Sequence, residues 1–322
     1  MEIINSVADL AKALAELGEP APEHTRFFRG HGDKKWKLLP GIYREKHLIE
    51  NEEKIIKDAL TYCPDYFSSS NTLFEKLVLL QHYGYATRLL DLTSNVLVAL
   101  YFASLPQREL LINKETKETT EINPEVDGEI IVLDIPNKSI KYDDSDTVAI
   151  LSALSLRSKS FNINKFWNEL VKNHQENDDT VKSFDLMSIN TAISNYFEIR
   201  NEYKSNLNNL HDIVNLCNDI IKEKPYFTPN IEPLDFSKIL CVRAKMNNPR
   251  ILKQQGAFLL FGINNEKINP ANFMSLDMKK IIVSHERKEN ILYELRSYGI
   301  NKSSLFPELD MQAQDIMNKY KS

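Results

Sequence analysis

The sequence has little cysteine, no long apolar run and no strong excess of charge of one sign. Its three cysteines, Cys63, Cys217 and Cys241, lie far apart in a chain of 322 residues. This spacing gives neither a disulfide framework nor a zinc site, so it favours a reducing compartment. No stretch approaches the roughly 18 apolar residues that a membrane-spanning helix needs. The sequence therefore predicts a cytoplasmic protein without a membrane segment.

Charge and composition are those of a globular protein. Hydrophobic residues make up 42% and charged residues 26% of the chain, which argues against wholesale disorder. The formal net charge of −5 argues against a surface that binds nucleic acid over its whole extent, although it allows a local basic groove. The amino-terminal segment lacks a basic lead and an unbroken apolar run, so no signal peptide is expected.

Several catalytic motifs are also missing. The chain has no phosphate-binding Gly-rich loop, no Gly-x-Ser-x-Gly elbow and no His-x-His or Asp-x-Asp cluster. No metal site is therefore predicted, and a metal-dependent nuclease gains no support. His31 and His82 could form an acid–base site with Asp91, although an isolated histidine beside a tyrosine is more often a packed core residue.

The apolar pattern predicts mixed α and β structure without the regular alternation of a doubly wound sheet, which indicates the α+β class. Strands are predicted at residues 25–30, 86–91, 128–135, 238–244, 257–262 and 280–283. Helices are predicted at residues 3–17, 45–62, 71–83, 96–104, 286–298 and 308–320. The polar stretch 107–127 is interpreted as an exposed loop.

Composition also divides the chain into three parts. Residues 1–154 and 236–322 are expected to build the two halves of one α+β core. The part between them, 155–235, is helix-forming, rich in Asn and Lys and poor in glycine, so a helical insertion is predicted there. Such an insertion could dock an antitoxin or a chaperone.

Two segments carry the candidate chemistry, and Arg29 of the first is expected to bind an anionic ligand beside residues 87–95 of the second. In FRGHGD at 28–33, Arg29 ends a predicted strand and can present its guanidinium fork to a phosphate or carboxylate; a surface arginine beside a turn is the alternative. In QHYGYATRLLDLTSN at 81–95, Arg88 and Asp91 are expected to pair, because an unpaired buried charge is costly. Thr93 lies close to the start of a helix, whose free N–H groups favour an anion. A structural ion pair with an ordinary helix cap explains this segment equally well.

Together, the motifs FRGHGD, QHYGYATRLLDLTSNVLVALYFAS and PRILKQQGAFLLFG resemble the FRG domain of bacteria and phages, which is named for its aromatic-Arg-Gly signature. The resemblance covers residues 20–110 and 238–310 and leaves the insertion unmatched. The family has long lacked a defined activity and occurs around phage-defence and toxin-like loci. Its motif order is similar to that of ADP-ribosyltransferases, which implies an α+β fold with a mixed sheet like theirs.

That similarity implies NAD as the cofactor, used as a substrate. Arg29 would clamp its pyrophosphate, and Gly30 would let the cofactor approach the backbone closely. Thr93 or Tyr101 would shape the nicotinamide pocket, and Arg88 would be a further cofactor-binding residue.

The late motif departs from the transferase pattern, because Gln254-Gln255-Gly256 stands where a glutamate is usual. A carboxylate can stabilise an oxocarbenium-like centre, whereas an amide can only form hydrogen bonds. Glu129 could supply the carboxylate from its own strand, and His82 and Asp91 are further catalytic candidates beside Gln255. A turn residue at Gln255 and a solvent-facing position for Glu129 are the plain alternatives.

The leading hypothesis is an ADP-ribosyltransferase-like effector that uses NAD to modify a macromolecular target, RNA or protein. A toxin, as in a toxin–antitoxin pair, or a phage-defence component would fit this activity. The alternative is a non-catalytic nucleotide- or nucleic-acid-binding module in which Arg29 and Arg88 bind a phosphate, and the missing late glutamate favours it.

Overall fold

The fold is built on a mixed eight-stranded sheet, seen in a computed structural model that describes residues 3–68, 70–107, 109–112, 119–164, 210–273 and 278–320. Its strands, with those of two small hairpins, are β1 (Ile3–Ile4), β2 (His24–His31), β3 (Leu89–Thr93), β4 (Glu109–Ile112), β5 (Thr119–Asn123), β6 (Gly128–Pro136), β7 (Ile140–Tyr142), β8 (Ile239–Arg243), β9 (Gly256–Phe261), β10 (Ile263–Asn264), β11 (Glu266–Pro270) and β12 (Met278–Val283). Its helices are α1 (Val7–Leu17), α2 (Lys46–Glu50), α3 (Glu52–Tyr62), α4 (Leu73–His82), α5 (Val96–Ala103), α6 (Asp146–Ala153), α7 (His211–Glu223), α8 (Pro249–Gln254), α9 (Lys288–Ser297), α10 (Lys302–Leu305) and α11 (Leu309–Lys319). This combination confirms the predicted α+β class, and the likeness to ADP-ribosyltransferases stays a prediction.

The main sheet opens in its middle, between β2 and β3. The strand order is β1-β12-β6-β2-β3-β9-β8-β7, with the outer pairs β1–β12 and β7–β8 parallel and the inner pairs antiparallel. Strand β2 pairs with β6 along its whole length, and β3 does the same with β9. Between β2 and β3, only Phe28 and Thr93 are paired. The two halves of the sheet therefore separate beyond this pair, beside Arg29 and Asp91.

Helices cover one face of the sheet more fully than the other. Because side chains alternate along a strand, Phe28 and Val132 pack against α1, α5 and α9, while Leu89 and Phe258 pack against α3, α4, α6 and α7. On the opposite face, Phe27 belongs to a smaller apolar cluster that Leu38, Tyr43 and Phe273 partly cover, residues that lie outside the α-helices. Arg29 follows Phe27 on this less covered face.

The glycine after Arg29 is required by helix packing. A Cβ atom built on Gly30 would lie 1.9 Å from the carbonyl oxygen of Ala99 in α5, and one on Gly128 would lie 2.0 Å from that of Ala103. These distances are far below van der Waals contact, so α5 can rest on β2 and β6 only where they carry no side chain. The sequence predicted that a cofactor approaches the backbone at Gly30. In the structure, helix α5 occupies the space next to Gly30 on the helical face of the sheet.

Several sequence predictions need correction. The stretch 107–127, interpreted as a loop, contains the hairpin β4–β5, in which Ile112 pairs with Thr119. Its β-branched residues favour strands, but the many charges between them hide the pattern. The helix predicted over 45–62 is interrupted at Asn51, between α2 and α3.

The predicted insertion is only partly described, because residues 165–209 lie outside the described part of the chain. Within 210–235, α7 packs its apolar face, which includes Leu216 and Ile220, into the same core as α4 and α6. A separate helical subdomain therefore stays a prediction. In the described ranges, every helix is too short or too polar to cross a membrane.

Replacing Gly30 with alanine should lower the free energy of unfolding by about 1–3 kcal/mol, because the added methyl group would push α5 away from β2. Urea denaturation measures this change. Gly41→Ala is the matched control, since a Cβ there meets its nearest atoms at 3.6 Å, an ordinary contact. An equal effect of the two substitutions would contradict this packing role of Gly30.

Candidate functional site

Arg29 bridges the opening between β2 and β3. Its Nη1 donates a hydrogen bond of 2.6 Å to the carbonyl oxygen of Asp91 and lies 3.8 Å from the Asp91 carboxylate. Because the ladder between the two strands ends at the Phe28–Thr93 pair, that carbonyl has no backbone partner on β2. The guanidinium occupies the place of the missing ladder bond. The predicted proximity of Arg29 to the 81–95 segment is thus present in the structure.

A chain of hydrogen bonds extends from Arg29 across three strands. The Nε of Arg29 donates to Nε2 of His31 at 3.0 Å, so the proton of a neutral His31 ring must lie on Nδ1. This Nδ1 donates to Oε1 of Glu129 at 3.1 Å, and Nζ of Lys280 donates to Oε2 at 2.9 Å. The register explains the arrangement, because His31 lies directly opposite Glu129, and Lys280 lies opposite Ile131 on the same face.

The buried position of this chain sets its charges. Burial lowers the pKa of Arg29 to about 10, so the guanidinium still carries its charge at neutral pH. Burial also lowers the pKa of His31, and the hydrogen bond to Glu129 does not compensate for it. Burial alone would raise the pKa of Glu129, but the bonds from His31 and Lys280 outweigh it and lower that pKa. At neutral pH, His31 is therefore neutral and Glu129 is ionised.

The segment after β2 adds a second arginine and an aromatic ring. Arg44 is exposed, and its charge lies close enough to lower the pKa of both Arg29 and His31. The ring of Trp36 is 44% exposed and meets His31 edge-on, with 6.1 Å between ring centroids. Nη2 of Arg29 makes no hydrogen bond to any part of the chain that the structure describes. The site can therefore still offer donors of Arg29 to a negatively charged group, with the charge of Arg44 nearby.

Arg88 belongs to a different, fully buried cluster. Its Nε donates to Oε1 of Glu52 at 3.0 Å and its Nη1 to the carbonyl oxygen of Phe261 at 3.1 Å, while Nζ of Lys267 lies 3.1 Å from Oε2 of Glu52. Burial opposes the charge of Arg88, but Glu52 outweighs it and raises the pKa. The predicted Arg88–Asp91 pair is wrong, because residues three apart on an extended chain point to opposite faces. A ligand cannot reach Arg88, which has no exposed surface.

Three other residues predicted to hold the cofactor are part of the scaffold. Gly30 lies under α5, and Tyr101 is buried within α5 itself. The hydroxyl of Thr93 donates to the carbonyl oxygen of Gln254 at 2.6 Å and accepts from the N–H of Asn95 at 3.0 Å, which ties β3 to α8 and to the start of α5. Their positions lend no support to a direct contact with NAD.

A polar groove lies on the helical face, on the other side of Asp91. Its polar lining residues are Gln81, His82, Asp91, Arg250 and Gln254. Nε2 of His82 lies 3.0 Å from Glu308, and the guanidinium of Arg250 donates to the carbonyl oxygen of His82 at 3.3 Å and lies 4.6 Å from the centroid of the Phe306 ring. The carboxylate of Asp91 is 60% exposed, so it can contact a ligand in this groove.

The remaining catalytic candidates differ in their access to solvent. Gln255 directly follows α8 as its C-cap residue, in the left-handed conformation with φ of 48°, and its carbonyl oxygen accepts from the N–H of Ser94 at 3.1 Å. This is the turn position that the alternative interpretation described. Glu129 is only 1% exposed, so the solvent-facing alternative for it is wrong.

Residues 24–109 match the family model of the FRG domain. This match confirms the resemblance predicted over residues 20–110, and the part predicted over residues 238–310 stays a prediction. The match runs from the first residue of β2 through α5 to the start of β4. The matched segment includes Arg29, Arg44, Arg88 and Asp91. The chain finds no match among curated proteins or among solved structures. The described residues hold no cluster of three His, Cys, Asp or Glu side chains that could bind a metal ion.

Sequence reasoning missed three members of the site. Two of them lie in residues 24–109, which we call the FRG segment, and one lies outside it. Arg44 and Trp36 follow β2 in an irregular stretch whose path no periodic pattern reveals. Lys280 reaches Glu129 only because β12 pairs with β6, a contact between residues 151 positions apart in the chain. The alternation along β2, which places His31 on the same face as Arg29, is the one signal that could have found part of this network.

Glu52→Gln should lower the free energy of unfolding by about 3–5 kcal/mol, because it leaves Arg88 and Lys267 as buried charges without a counter-ion. The measurement is urea denaturation at neutral pH. Glu53→Gln is the control, since its partner Lys57 is exposed and such pairs contribute about 1 kcal/mol or less. Similar losses for both variants would show that the buried cluster has no special weight.

Stability should fall as the pH drops below about 6.5, the ordinary pKa of histidine, because His31 takes up its proton more readily in the unfolded chain than in the folded one. The contribution of His31 is complete above that pH and is lost as the pH falls toward its lowered folded pKa. Urea denaturation of wild type and His31→Gln between about pH 7.5 and 5 measures the difference, in which the other groups cancel. Identical slopes for the two proteins would refute this assignment.

Proposed function

We propose that the FRG segment binds the phosphate groups of a nucleotide at Arg29 and Arg44, and that this nucleotide is NAD. The observation that carries the proposal is the opening at Arg29, where Nη2 has no hydrogen-bond partner among the described residues and the like charge of Arg44 lowers the pKa of Arg29. A phosphate between them would relieve this repulsion and form charge-assisted hydrogen bonds with both guanidinium groups. Arginine suits this task because its planar fork matches phosphate oxygens.

Neighbouring groups support a ligand larger than phosphate itself. The exposed ring of Trp36 beside His31 offers a surface on which a base can stack. The His31–Glu129–Lys280 chain fixes the plane of the Arg29 guanidinium before a ligand arrives, which reduces the entropy lost on binding. NAD is chosen among nucleotides because the order of the three motifs along the chain resembles that of ADP-ribosyltransferases.

The activity that follows is an ADP-ribosyltransferase-like transfer from NAD to RNA or protein, by a toxin or phage-defence component. Asp91 supports this part, because its exposed carboxylate beside Arg29 could stabilise positive charge that develops on the ribose. Glu129 is less suited, since both of its oxygens already accept hydrogen bonds.

Isothermal titration calorimetry with NAD tests the binding. Arg44→Gln should weaken binding about tenfold or more, since it removes a charged partner of the phosphates. Because Arg44 is exposed, this variant should fold as wild type does. Arg243→Gln, at the exposed end of β8, makes the same change of charge three strands away and should bind NAD normally. No binding of NAD, or equal affinities of the two variants, would reject the proposal.

A second candidate, a non-catalytic nucleotide-binding module, is favoured by the amides of Gln254 and Gln255 in place of a late glutamate. Release of nicotinamide from NAD by the purified protein, followed by chromatography, separates the two candidates. Arg44-dependent release supports the transferase. Binding of NAD without any release, with RNA and protein acceptors present, supports the module.

A further inference from the structure

The polar groove on the helical face contains two side-chain amides whose hydrogen-bonding groups are only half used. Gln81 stands near the end of α4, and Gln254 is the last residue of α8. Both line the groove, together with Asp91 of β3 and the apolar side chains of Val78 and Phe258. What each amide can still bind depends on how its present partner orients it.

The orientation of the Gln81 amide follows from Thr87. The hydroxyl oxygen of Thr87 accepts the N–H of Leu89 at 3.2 Å, and its proton is donated to Oε1 of Gln81. The Gln81 oxygen is therefore engaged, and the Nε2 group keeps its two N–H donors without a partner in the described part of the chain.

The Gln254 amide is fixed in the opposite sense. Its Nε2 donates to the carbonyl oxygen of Leu305 at 3.1 Å, and a carbonyl oxygen can only accept. The nitrogen must therefore face Leu305, which leaves Oε1 as an acceptor that no described residue uses. The groove thus offers a free donor from one helix and a free acceptor from another.

We propose that this groove binds a planar ring that carries an amino donor next to a carbonyl or ring-nitrogen acceptor. The amino group of the ligand would donate a hydrogen bond to Oε1 of Gln254, and its acceptor would accept a hydrogen bond from Nε2 of Gln81. Val78 and Phe258 would contact the ring. A ligand without this paired edge would leave both amides unsatisfied, which gives the groove its selectivity.

This inference rests on the proposed function, because NAD carries such an edge at both ends, in the carboxamide of nicotinamide and in adenine. Asp91 joins the two sites, since its carbonyl oxygen holds Arg29 while its side chain lines the groove. A ring in the groove would therefore lie on the other side of Asp91 from the phosphates at Arg29. The Asp91 carboxylate would also attract a positively charged ring such as the pyridinium of nicotinamide.

Titration of the full chain with nicotinamide mononucleotide and with AMP, each followed by calorimetry, tests the proposal and shows which end of NAD the groove takes. Gln81→Met, which keeps the length of the side chain but removes the donor, should weaken the binding of one of these ligands roughly tenfold. Gln255→Met is the control, since this exposed amide lies near Ser94 and does not line the groove. It should bind both ligands as wild type does.

Binding of neither mononucleotide, or equal affinities of Gln81→Met and Gln255→Met for both, would overturn the groove assignment. Such a result can be distinguished from a failure of the proposed function, because that function is tested by whether NAD binds in an Arg44-dependent way. If the chain binds NAD through Arg44, and Gln81→Met leaves its affinity for NAD and both mononucleotides unchanged, the groove assignment is wrong and the proposed function stands. Gln81→Met also removes the acceptor of the buried Thr87 hydroxyl, so a loss of about 1–3 kcal/mol in stability is expected. Thermal denaturation checks that the variant is still folded at the temperature of the titration.

Discussion

The hydrogen bond from Arg29 to the carbonyl oxygen of Asp91 is the interaction on which the rest of the site depends. It spans the point where the sheet separates, so it substitutes a side chain for a ladder bond. A guanidinium has donors to spare, and one that completes a sheet edge can still bind a ligand. The His31–Glu129–Lys280 chain keeps the guanidinium in that position, and the closeness of Arg44 gives the opening its positive charge.

Two arginines of the FRG segment, 59 positions apart in the sequence, have opposite tasks that burial decides. Arg88 is buried with Glu52 and Lys267, where a charge without a partner would be strongly destabilising. Its ion pair with Glu52 fixes α3 against the sheet. Arg29 lies at an opening, and its Nη2 has no hydrogen-bond partner in the part of the chain that the structure describes. The aromatic-Arg-Gly signature also has two separate physical reasons, because its arginine belongs to the site while Gly30 admits helix α5 on the opposite face.

Predictions for the site were correct for a contact between two neighbouring strands. They were wrong or missing where a contact involves a further helix or strand. The proximity of Arg29 to the 81–95 segment was predicted correctly. The Arg88–Asp91 pair was wrong, because proximity in sequence does not give a shared face, and the true partner of Arg88 lies on a helix. Lys280 comes from the far end of the chain, and no local pattern could have joined it to the site.

The sequence by itself determined the class of fold, the strongly apolar strands and helices, and the segment that matches the FRG domain, because these depend on local periodicity and on the order of motifs. Only the tertiary structure decided which charges pair, where the sheet opens and which amide groups of the groove lack a partner among the described residues. Those properties depend on strand register and on distances between elements far apart in the chain, and neither composition nor spacing specifies them.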